Sequence, residues 1–195
     1  MEDRIRLTGQ ILELELAMFL SVPTDRKYRC QEDPAGFKLH RRAQFAAWSP
    51  ATLESYLDDL QKANAAGRNL LALKYARMDH LVPCENFSSL IDAITDLAVQ
   101  GQKQFIADYP ALMRGGRPLR EAENAPGLTS FETYLRGELE SYSERTLERL
   151  YRDVLDLKKS GSSLSEVIYR FLAECWGVDS LERLEITLKQ KSSSA

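Results

Sequence analysis

Cysteine is scarce in this 195-residue chain: Cys30, Cys84 and Cys175 are far apart and form no CxxC pair. An odd, dispersed set argues against a disulfide framework and for reduced thiols in a cytoplasm. Histidine is scarcer still, with only His40 and His80. A serine or cysteine hydrolase has few bases to draw on, and no GxSxG is present. The ExxH pairs of a di-iron bundle are missing. Gly115-Gly116 before Arg117 matches neither GxxxxGK[ST] nor GxGxxG and reads as a turn. No cofactor motif emerges. No apolar run approaches the ~18 residues needed to cross a bilayer. The first twenty residues are interrupted by Glu13 and Glu15, so they read as an amphipathic helix and not a signal peptide. A charge of one sign is lacking too, with 26 Lys+Arg against 29 Asp+Glu and a pI near 5.6. That balance gives no general attraction to nucleic acid or an anionic membrane.

Hydrophobic residues make up 44% and charged residues 28%, the proportions of a globular protein. The length suits one domain over residues 1–190, with a frayed tail at 191–195. No alternating strand pattern occurs, and helical spacing is nearly continuous. Helices are expected over Asp3–Leu20 and Phe37–Trp48. Another begins after Ser49-Pro50, an N-cap followed by proline; Gly67 either ends it or interrupts a longer helix, and the next piece, Arg68–Val82, stops at Pro83. Phe87, Leu90, Ile91, Ile94, Leu97, Ala98 and Phe105 form the next stripe. Beyond a loop from Pro110 to Gly127, Thr129 and Glu132 predict a capping box opening one long helix to Lys159. Ser163 with Glu166 and Asp179 with Glu182 open the last two. The expected fold is all-α: a single-domain bundle of six or seven helices. With no 20–50-residue repeat, it is not a solenoid. Tyr134, Leu147, Tyr151 and Leu155 add a second apolar line to the long helix, which suits a central position or a homo-oligomer contact.

Basic residues concentrate in one place. Between Arg26 and Arg42 there are six Lys/Arg against Glu32 and Asp33. On helical wheels Arg41 shares a stripe with Phe37, Gln44 and Trp48, and Arg68 shares one with Leu71, Tyr75 and Met78. Lys74 lies between Leu70 and Leu81. An interior arginine or lysine persists only with partners. Two readings follow. In one, Arg41 and Arg68 pair with internal carboxylates such as Asp33, Asp58, Asp59 or Asp79. In the other, they converge with Tyr28, Arg29, Asn69, Lys74 and Tyr75 on an aromatic–basic groove for an anionic small molecule or acidic peptide. Metal binding has weaker candidates in Cys30, His40, His80 and Cys84. His80 and Cys84 are four apart, but Pro83 intervenes and no close cysteine pair supports a zinc site.

Cys30, Asp33, Phe37, Arg41, Gln44 and Trp48, then Gly67-Arg68-Asn69-Leu70 and Lys74-Tyr75-Ala76-Arg77-Met78, resemble a group of bacterial proteins classed only as a domain of unknown function. The resemblance covers about a third of the chain and implies a bacterial cytoplasmic protein with no assigned activity. A binding or interaction module is the first expectation. An enzyme using the same groove, with His80 or a carboxylate as base, and a structural or oligomeric partner protein are the alternatives.

Overall fold

The computed structural model describes residues 2–22 and 29–193. It is all-helical, with no strand among the described residues beyond an isolated Ala125–Leu128 bridge. The described residues form ten α-helices, one of them a single turn, against the expected six or seven: α1 Glu2–Leu20, α2 Arg29–Glu32, α3 Pro34–Ala46, α4 Pro50–Ala65, α5 Leu70–Met78, α6 Ser89–Asp108, α7 Phe131–Leu139, α8 Glu144–Lys159, α9 Leu164–Cys175 and α10 Leu181–Ser193. None is long and apolar enough to cross a membrane.

The excess over expectation comes from breaks that side chains enforce. The expected long helix is two helices. Ser143 caps α8 by accepting from the Thr146 amide, and Asp59 of α4 accepts from Ser143 N and Thr146 Oγ1 at 3.0 and 2.7 Å. Three hydrogen bonds at one turn outweigh helix continuity there. Tyr134 therefore belongs to α7 and Leu147, Tyr151 and Leu155 to α8, so the second apolar line does not exist as one face. The cap before α7 is Ser130, not Thr129; Glu132 instead accepts from the Glu121 amide at 2.9 Å. Asp153 returns the favour of Asp59, binding Ser49 N and Thr52 Oγ1 at the start of α4. The α4 and α8 helices thus cap each other.

The main core gathers α1, α3, α4, α5, α6, α7 and α8 around Ile11, Phe45, Leu53, Leu60, Ile94, Leu139 and Leu147. Phe45, Trp48, Tyr56 and Tyr142 form an edge-to-face aromatic group inside it. Arg4 of α1 reaches the carbonyls of Phe45, Ala46 and Trp48 at 2.6–2.9 Å and closes the end of α3. A smaller cluster of Phe105, Ala173 and Leu181 joins α6, α9 and α10. There the Glu185 carboxylate accepts from the Ala111 and Leu112 amides.

The α5–α7 contact depends on Gly137. A Cβ at that position would stand 2.6 Å from Met78 Cγ and 3.2 Å from the Lys74 carbonyl oxygen. Gly137→Val is therefore expected to lower unfolding free energy by about 1–3 kcal/mol by overpacking, despite better helix propensity. Urea titration of the variant checks this, and an unchanged midpoint would show that the helices have room to part.

Candidate functional site

The basic residues singled out in the sequence divide between a closed cluster and the surface. Arg41 is 7% exposed and lies between two helices that carry its counter-charges. It grips Glu15 of α1 with two donors, Nε to Oε2 at 2.8 Å and Nη2 to Oε1 at 2.5 Å. Its Nη1 donates to Glu138 of α7 at 2.7 Å and to Gln44. Lys74 of α5 completes the set, donating to the other Glu138 oxygen at 2.8 Å with Tyr134 beneath its ammonium at 3.6 Å. Tyr56 donates to Glu15 and Tyr142 to Glu138, at 2.7 and 2.6 Å. Two cations meet two carboxylates, and the remaining carboxylate lone pairs are taken by phenols. The internal ion-pair reading holds for Arg41 and not for Arg68, and its partners are glutamates instead of the four aspartates expected.

Electrostatics agree with that geometry. Burial alone would raise the Glu138 carboxyl, but Arg41 and Lys74, with hydrogen bonds from Lys74 and Tyr142, hold it well below the usual carboxylate range. Burial would lower Lys74, and Glu138 outweighs it to raise the ammonium above its ordinary value. Burial and the nearby carboxylates keep both phenols protonated well above their ordinary value. The space left among Glu15, Arg41, Lys74, Tyr56 and Glu138 is about 20 Å³, room for one water and no ligand.

Several candidates take other roles. Arg68 is exposed and apart from the cluster. Its wheel position was not realised, because α5 begins only at Leu70. Gly67 takes φ +66° and Arg68 N reaches back to the Ala63 carbonyl at 2.8 Å, the turn that closes α4. Asn69 caps α5 through the Ala72 amide and ties it to α1 by donating to the Met18 carbonyl at 2.7 Å. Trp48 belongs to the aromatic core. Tyr75 packs beside Phe19 and also borders the small space beside Arg41 and Lys74, so it stays with the cluster and not with Arg68. Tyr28 lies outside the described residues, as do the side chains of Arg29 and Cys30. Asp58 and Asp79 do not join the cluster; Asp33 and Asp59 serve as caps of α3 and α8. His40 is exposed on α3. Among the described residues, no three His, Cys, Asp or Glu side chains gather as a metal site.

Glu15 and Glu138 were missed, although the signal that found Arg41 applies to both. Glu15 sits on the stripe of Ile11, Leu12, Met18 and Phe19, and Glu138 on that of Phe131, Leu135 and Tyr142. A charge on an apolar stripe needs a partner whichever its sign.

An open groove of about 430 Å³ lies against α5 and α7, outside the cluster. Thr133, Arg136, Gly137 and Glu140 form one wall; Arg77 and Met78 with the connector His80–Cys84 form the other. The connector's course is set by His80, which takes φ +55° at the end of α5, with His80 N on the Arg77 carbonyl and Leu81 N on that of Ala76. A histidine accepts this left-handed position less readily than glycine. Arg77 is 8% exposed, and its Nη1 donates to the Glu140 carbonyl at the end of α7. Its Nε is buried with no hydrogen-bond acceptor, and Glu140 Oε2 stands 3.9 Å away. Arg136 is drawn outward to Asp92 at 2.5 Å. The half-buried Cys84 thiol donates to the Asn86 carbonyl, and burial pushes it up, so it is a thiol and not a thiolate. Thus His80 and Cys84, two of the weak metal candidates, line the same groove.

The pattern of a protein family described as a protein of unknown function, DUF4125, matches residues 5–186. No curated protein and no solved structure matches the chain.

Proposed function

The chain belongs to this DUF4125 family of unknown function, and we propose from its geometry that it is a binding module whose ligand occupies the α5–α7 groove. The ligand is an anionic small molecule or the acidic segment of a partner, received at Arg77. One observation carries this reading: a guanidinium more than nine-tenths buried in the wall of an open groove, with an Nε that lacks an acceptor. A buried donor without a partner costs about 1–3 kcal/mol, which an incoming carboxylate that reaches Arg77 recovers. The closed, charge-balanced cluster around Arg41 serves instead to hold α1, α3, α5 and α7 together behind that wall. An enzyme working in the groove is the second reading, supported by His80, Cys84 and Glu140 on its lining. We also place the protein in a bacterial cytoplasm, which the dispersed cysteines support. It acts as one helical domain, in keeping with the unbroken family match.

Thermal unfolding with citrate as the probe tests the groove. Wild type is expected to gain stability saturably, about 2.7 kcal/mol at a hundredfold excess over Kd, beyond any effect of sodium chloride at matched ionic strength. Arg77→Lys keeps the charge but loses the fork and should weaken the response; Arg77→Met should abolish it. Equal shifts in all three proteins would refute the assignment.

A further inference from the structure

Phe87, Leu81 and Ile5 are the most exposed large apolar side chains among the described residues, at 88%, 75% and 69%. Two of the three stand on the short connector between α5 and α6. Leu81, Val82 and Pro83 are consecutive and all exposed, a run that a soluble surface keeps only for a purpose. The turn that closes α5 makes this plainer. In such a turn the residue at the Leu81 position usually packs back on the helix, yet Leu81 stays three-quarters exposed. The ridge is held out into solvent while its backbone is fixed by the Leu81 N to Ala76 O bond at 2.8 Å.

The same patch contains both a projection and a recess, since Leu81, Val82 and Pro83 form one lip of the groove. It also carries both signs of charge, Arg77 and Arg136 with Glu121 and Glu140. A broad acidic or basic protein surface laid over the whole patch would meet opposition from half of these, unlike a single carboxylate that reaches only Arg77. A two-fold contact has the opposite requirement: one patch must supply knob and hole, cation and anion, because it meets its own copy. We propose that a second copy of this chain docks here, the Leu81–Val82–Pro83 ridge of each protomer seated in the groove of the other. The acidic-ligand reading uses the same groove, so ligand and second copy compete. The dimer itself does not depend on that ligand.

Sedimentation velocity tests this on the full chain. Wild type is expected to sediment as a dimer at roughly 100 µM, and Leu81→Asp with Val82→Asp should weaken association about 30-fold or more. Both positions face solvent, so far-UV circular dichroism and melting of the double variant should match wild type at about 1 µM, where both are monomers. Ile5→Asp, an exposed position on α1, should leave the dimer intact. A wild-type monomer at roughly 1 mM, or a double variant as dimeric as wild type, would overturn the proposal. Citrate separates the two readings. If it stabilises the protein and releases monomers, both stand. If it neither binds nor dissociates a variant-sensitive dimer, the ligand reading falls alone. If it stabilises the protein saturably while the dimer persists, the interface lies elsewhere and the dimer proposal falls.

Discussion

Glu138→Ala is expected to cost about 3–5 kcal/mol of unfolding free energy at pH 7, because it strands the buried Lys74 ammonium and leaves Arg41 with Glu15 as its one carboxylate. Arg41 Nη1 and Lys74 Nζ both rest on that carboxylate, and Tyr142 loses its acceptor with them. Urea denaturation measures the loss, and a change below about 1 kcal/mol would show that water reaches the cluster. The same side chain governs the acid limb. The folded-state carboxyl is held below its ordinary value of 4.5, so its contribution is present above that pH. It is lost progressively as pH falls towards the folded-state value. Wild type should therefore lose stability steeply below about pH 4.5, and Glu138→Gln, less stable at neutrality, should show a flatter slope through that range. On the alkaline side Lys74 is raised, so its contribution is complete below its ordinary 10.5 and fades only as pH rises beyond it.

Arg41→Met and Arg68→Met should differ sharply. The first leaves Glu15, 0% exposed, with only Tyr56 as a donor partner, and halves the cationic charge facing Glu138. About 3–5 kcal/mol is expected to be lost. The second removes an exposed side chain whose backbone alone joins the turn, and should stay within about 0.5 kcal/mol. Parallel urea curves decide the matter. Comparable losses would mean that Arg68 has a partner in solution, and would restore the two-arginine site expected from the wheel. A joint replacement of Glu15, Arg41, Lys74 and Glu138 by apolar residues of similar volume should cost less than Arg41→Met alone, since no charge is then left unpaired.

The cluster changes where a ligand can sit. An aromatic–basic groove centred on Arg41 would require positive charge in excess and space beside it. Two carboxylates cancel the charge, phenols fill the remaining acceptor sites, and one water's volume is left. The proposed ligand site therefore lies one turn of α5 outward, at Arg77 instead of Lys74, where the donor is incomplete and the space is open. Arg77 stood in the family-like tract, but nothing in its local spacing distinguished it from Lys74.

What the sequence determined by itself is what neighbours within about four residues can enforce. The all-helical class follows from apolar spacing. The Ser49-Pro50 and Ser163 starts follow from hydroxyl caps, whereas at Gly67 the sequence leaves a break or an interruption open and the left-handed turn decides for the break. The burial of Arg41 belongs here too, because a wheel position within a helix of assured register is a local property. Arg68 marks the limit, since its wheel presumed a helix that its own turn prevents. Tertiary structure decided the rest. Glu15 and Glu138 meet Arg41 from 26 and 97 residues away, and Asp59 divides α7 from α8 from a different helix. The groove exists only because Gly137 lets α7 lie against α5 while the His80 turn throws the connector outward. Ion-pair partners and cavities depend on which faces of distant helices are pressed together, and no periodicity along one segment encodes that meeting.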